Sequence, residues 1–120
     1  MIRRRLMGGM YILVDHTPVA CIDLATWGRW HADTAGRTVG KTDVGDATVS
    51  TVCLGLDHGG GGGPPLLFET MIFGGPHDGK QDRCATWEQA EAMHARWVGL
   101  LRDRTGQVTP LPRPAGQDEA

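Results

Sequence analysis

Apolar residues recur along this chain with two periods. Short alternating or β-branched runs occupy residues 11–73, and a single long stripe spaced three and four apart follows from residue 87. YILVD, residues 11–15, is aromatic and β-branched and runs into His16-Thr17-Pro18, so it predicts a strand entering a turn. Val19 to Ile22 is its expected partner. Asp23 then supplies a carboxylate N-cap, and Leu24, Trp27, Trp30 and His31 recur at helical spacing up to Gly36, a C-cap residue. The prediction is one short helix that buries two indoles.

RTVGKTDV (37–44) and ATVSTVCLGLD (47–57) are rich in Thr and Val and meet at Gly45-Asp46, a two-residue hairpin turn. That register sets Val44 opposite Ala47 and Val39 opposite Val52. It predicts that Val39, Val52, Leu54 and Leu56 face the helices, with Thr42, Val49 and Thr51 on the other side. LLFETMIF (66–73) is the third strand. Thr86 and Gln89 form a capping box at the head of a long helix. Its stripe is Trp87, Ala90, Met93, His94, Trp97, Leu100 and Leu101, opposed by Glu88, Glu91, Arg96 and Arg102. The predicted fold class is α+β: a three- to four-stranded antiparallel meander packed by a long C-terminal helix and a short N-terminal one.

At 120 residues, the chain suits one domain, assigned to residues 10–105. Residues 1–9, with Arg3 to Arg5 before an interrupted apolar run, read as a leader or upstream extension. Residues 106–120 are Pro-rich and read as a flexible tail. A formal charge of −2 supplies no field for nucleic acid or anionic lipid, so neither is expected as a direct partner. No apolar run reaches the length of a membrane span. Cys21, Cys53 and Cys84 lack zinc-site spacing, which favours a reduced, cytoplasmic chain without a bound metal or other cofactor.

Candidate chemistry is sparse. The glycines of LDHGGGGGPP (56–65) lead into two prolines and a strand. They lack the helix N-terminus and amide donors of a phosphate cradle, so they read as slack in a hairpin. Asp57, His58, Glu69, His77, Asp78 and His94 are chemically able to act as acids, bases or metal ligands, yet no local spacing gathers them. Asp57 and His58 read as turn-capping residues, as do His77 and Asp78. Glu69 shares a strand face with Leu67, Met71 and Phe73. If that face is buried the carboxylate needs a partner, and His94 on the helix stripe is the expected one. Trp30, one of four tryptophans, is a candidate contact residue, since indoles dominate binding hot spots. No nucleophile motif is present, so no catalytic residue is assigned.

The segment STVCLGLDH (50–58), the glycine loop, PPLLFETM (64–71) and the helix opening TWEQAEAMHA (86–95) together resemble a family of small proteins encoded by bacteriophages and prophages. Cys53 stands where a bulkier apolar residue is usual there, and the glycine run is longer. The resemblance implies a genomic setting. A small phage protein without catalytic motifs acts by occupying a protein surface, and the specific expectation is steric inhibition of a bacterial defence complex, as anti-CRISPR proteins do. The alternatives are a small metal-dependent or acid/base enzyme centred on His58, Glu69 and His94, and a phage assembly or accessory protein that self-associates through the sheet; a homodimer is compatible with the inhibitor as well.

Overall fold

The computed structural model describes residues 9–59 and 63–106. Most of the expected leader, the central glycines of the loop and the expected tail from residue 107 onward lie outside them. The chain is α+β. Strands β1 (Tyr11–Val14) and β2 (Thr17–Ala20) form a two-stranded ribbon. Helix α1 (Leu24–Ala32) and the single turn α2 (Thr34–Arg37) follow. Strands β3 (Thr38–Val44), β4 (Ala47–Cys53), β5 (Phe68–Phe73) and β6 (Gln81–Cys84) then make an antiparallel meander in sequence order, and α3 (Trp87–Gly106) crosses one of its faces.

The ribbon turns one step earlier than His16-Thr17-Pro18 suggests. Asp15 and His16 both adopt positive φ, 51° and 68°, and close a tight hairpin that pairs Val14 with Thr17. Such a turn matches strand twist and needs two left-handed residues, which outweighs the ordinary preference of Asp and His for negative φ. The expected partner Val19–Ile22 is therefore shifted toward the turn. Gly45, at φ 63°, opens the second tight turn as predicted, and Val44 does pair with Ala47.

Val39 is not opposite Val52. A bulge between Thr38 and Gly40 inserts Val39 as an extra residue, so Thr38 takes Val52. The expected choice of face is also reversed: Val49, Thr51 and Cys53 are fully buried beneath α3, while Val52 and Leu54 are only partly covered. Phe68, Thr70 and Ile72 of β5 share that buried side, and Glu69, Met71 and Phe73 stand on the open side. Leu67, just before β5, is buried despite its even spacing from Glu69.

The predicted helix 24–36 is divided at Asp33, which closes α1 and whose carboxylate caps the following turn through the Gly36 amide. Its indoles are half-buried, and no residue of α1 is fully buried. The α3 capping box is present: Thr86 Oγ1 accepts from the Gln89 amide, and Gln89 Oε1 accepts from the amides of Ala85 and Thr86. On the stripe, Val98 takes the buried place expected of Leu100, which is exposed.

Two apolar clusters result. Val44, Ala47, Val49 and Ile72 meet Val98 and Leu101. Cys53, Leu67 and Phe68 meet Trp87 and Ala90, joined by Tyr11 and Leu13 from the ribbon and by Trp30. Each large apolar side chain buried in this way contributes roughly 1.5–3 kcal/mol.

Candidate interaction surface and polar core

Between the two clusters the sheet carries a polar row. Thr51 and Thr70 are cross-strand neighbours with no exposure, and their hydroxyls lie 2.6 Å apart. His94, projecting from α3 onto this row, bonds both ring nitrogens: Nδ1 is 2.8 Å from Thr51 Oγ1 and Nε2 is 2.9 Å from Thr42 Oγ1. A neutral imidazole with one donor and one acceptor satisfies this chain in either tautomer, because each hydroxyl can rotate to donate or accept. Gly40 makes room for it, since a Cβ there would stand 2.9 Å from Nε2. Burial pushes the imidazole below its ordinary value, so at neutral pH the ring is uncharged.

Glu69 does not meet His94, which lies across the sheet. Its partner is the residue directly opposite on β6: Arg83 donates to Glu69 Oε2 from Nε at 3.1 Å and from Nη2 at 3.0 Å. The expected contact fails because strand alternation puts Thr70, not Glu69, under the helix. His58 is exposed beyond the end of β4, with its backbone amide bonded to Leu66 O. The trio His58, Glu69 and His94 is thus not brought together. Among the described residues, no three His, Cys, Asp or Glu side chains converge in a way that could hold a metal ion.

Asp57 and Asp78 do cap turns. Asp57 Oδ1 accepts from the amides of Gly59 and Leu66, at 2.8 and 3.0 Å, closing the base of the glycine loop. Asp78 Oδ1 accepts from Gly74 at 2.7 Å. His77 caps nothing through its ring; the ring sets against Trp97 at 6.1 Å and leaves Nε2 buried without a hydrogen-bond partner. Trp30 is no exposed anchor either. It lies against Gly55, with the Arg37 guanidinium 5.9 Å above it. Arg37 also donates to the carbonyls of His31 and Cys53, tying α1 and α2 to the end of β4.

The unpartnered apolar surface lies elsewhere. In the ribbon, Tyr11 and Leu13 point toward the core, so Ile12, Val14 and Val19 line the outer face; Val14 and Val19 are 50% and 43% exposed. The chain then leaves β2 through Ile22, 94% exposed, and Leu24, 68% exposed. Apolar residues flanking an N-cap usually pack as a staple, here Ile22 on Trp27. Trp27 is instead committed to the molecule, donating from Nε1 to Gly55 O at 3.1 Å and stacking on His31 at 4.4 Å. Alternation within residues 12–19 was the available signal for this face. Leu24 shares its helical spacing with Trp27 and Trp30, and spacing alone does not reveal which side is covered.

Strand edges, by contrast, are guarded. Pro18 of β2 pairs with Leu13 in the alternate position, where an amide would point away from the ribbon, and it has none to offer. Along β3 the outward positions Lys41 and Asp43 are charged and exposed, and the bulge interrupts the run. Comparison with protein-family models, with curated proteins and with solved structures finds no match.

Proposed function

We propose that this chain is a protein-binding module whose contact is the outer face of the β1–β2 ribbon together with Ile22 and Leu24. The observation that carries this reading is the run of apolar side chains at 12, 14, 19, 22 and 24, of which Ile22 and Leu24 are more than half exposed, Val14 and Val19 about half, and Ile12 partly buried. An exposed apolar patch on a small domain marks a contact with another macromolecule. The ribbon is stiffened by its tight turn and by pairing to the segment after β4, which lowers the ordering cost of binding.

The resemblance to phage-encoded proteins supports a bacterial protein complex as the partner, and a CRISPR effector is the specific reading: the module covers a working surface and blocks it. Expression of the chain in CRISPR-proficient bacteria should restore plaque formation by a targeted phage, and purified chain should co-elute with the effector. The double variant Val19→Glu, Ile22→Glu should lose both effects while its circular dichroism remains that of the wild type. Failure to protect phage or to bind any effector type removes the defence reading. Full activity in the double variant removes the ribbon surface.

A further inference from the structure

The third edge of the sheets, β6, is guarded in a different way. Pairing with β5 directs Lys80 and Cys84 inward, as their carbonyl contacts with Ile72 and Leu67 show, so Gln81 and Arg83 turn their backbone groups away from the sheet. At Arg83 the outward amide is present but capped by its neighbour, Asp82 Oδ1, at 3.1 Å. The other oxygen of the same carboxylate, Oδ2, accepts from Arg96 of α3 at 3.3 Å. Alongside lies a groove of about 450 Å³ between the strand edge and the helix, lined by Leu66, Ala92 and Met93 and by the Asp82–Arg96 pair. Whereas Pro18 removes a donor for good, Asp82 only occupies one, through a largely exposed ion pair that is weak and readily exchanged.

We propose that the β6 edge is a binding site for an extended peptide segment of another protein, and that Asp82 holds it closed by imitating the ligand. The incoming strand bonds the outward groups of Gln81 and Arg83, as in strand addition to a sheet edge. Alternate side chains of that strand face the groove. One is a carboxylate that takes Arg96 from Asp82, and the next on the same side is an aliphatic residue that fills the space over Leu66 and Met93. The occupant is thus an acidic-aliphatic strand segment, its carboxylate matched by Arg96 and its aliphatic side chain by Leu66 and Met93. This surface is separate from the ribbon face, and its test does not read that contact.

The probe is the peptide acetyl-Thr-Glu-Thr-Leu-Thr-amide, titrated into the ¹⁵N-labelled full chain. Saturable shifts are expected at the Gln81 and Arg83 amides. Asp82→Asn, which frees Arg96 without changing the size of the side chain, should tighten binding roughly two- to fivefold, the worth of an exposed ion pair. Gln81→Pro removes only an outward-facing donor and should abolish binding. Lys41→Pro, at an outward position of the opposite edge, should leave it unchanged. A peptide with lysine in place of glutamate should not bind. The proposal is overturned if the glutamate peptide fails to shift these amides in both wild type and Asp82→Asn, if the lysine peptide binds as well, or if Gln81→Pro binds normally.

Discussion

The meander with α3 and the ribbon with α1 differ in how they are held. In the first, Val49, Cys53, Phe68, Thr70 and Ile72 have no exposure, and helix and sheet interlock along two apolar clusters and a polar row. In the second no residue is fully buried. The ribbon and α1 are held by Tyr11 and Leu13 at the margin of the core, by Trp27 and Arg37 on the carbonyls that end β4, and by the His16 ring stacked 3.6 Å from Trp87. Area buried against the core stabilises the first region; a few directional contacts position the second. The same sparse cover leaves the ribbon with an outer face free to meet a partner.

This contrast can be broken from either side. Phe68→Ala should cost about 3–5 kcal/mol and lower the denaturant midpoint for the whole molecule, because both regions depend on that core. Gly55→Ala should cost about 1–3 kcal/mol, since Gly55 holds φ 75° and a Cβ there would collide with the Trp30 ring. Its effect should be regional: amide exchange should quicken in residues 11–37 and stay slow in β4 and β5. If Gly55→Ala unfolds everything at once, the two regions are one cooperative unit. Arg37→Met leaves the His31 and Cys53 carbonyls without their donor and should show the same regional pattern at about 1–2 kcal/mol.

Acid separates the regions as well. Burial lowers the His94 pKa below 6.5, and burial followed by the Arg37 charge lowers that of His31. Above 6.5 both are neutral in the folded and unfolded chain, and their contribution is intact. As pH falls beneath 6.5 the unfolded chain takes up protons that the native one refuses, so stability declines until the native rings protonate too. His94→Gln should flatten the part of this decline seen by Trp97 and the α3 signal, and His31→Gln the part seen by Trp27. Equal slopes in wild type and His94→Gln would mean that His94 is not held neutral by the core. For Arg83→Met a loss of about 1–2 kcal/mol is expected, because Glu69, whose side chain is only 14% exposed, would be left without both of its donors.

Much of the meander was legible locally. Gly45-Asp46, the capping box of Thr86 and Gln89, and the N-cap at Asp23 are chemical statements about adjacent residues, and each forms as its composition dictates. The candidate residues were legible only where their role was equally local: Asp57 and Asp78 cap turns, whereas Glu69, His94, Trp30 and His77 take partners that no spacing announces. The bulge at Val39 is one inserted residue; it uncouples Val39, which packs on the core as its apolar character predicts, from Val52 on the other side of the sheet. The fourth strand, Gln81–Cys84, carries too few apolar residues to register as a strand; it pairs through its backbone.

By itself, then, the sequence determined the elements with strong period and punctuation: the hairpins, the long helix and the α+β class. Tertiary structure alone decided which side of the sheet α3 covers, that His94 joins the threonine row while Glu69 finds Arg83, and that Ile22 and Leu24 remain uncovered. The reason is physical. Turns and caps are settled by interactions within a few residues, whereas burial is a competition among all apolar surfaces for a limited enclosed space. Here Trp27 spends its contacts on Gly55 and His31, and its sequence neighbours are left facing outward.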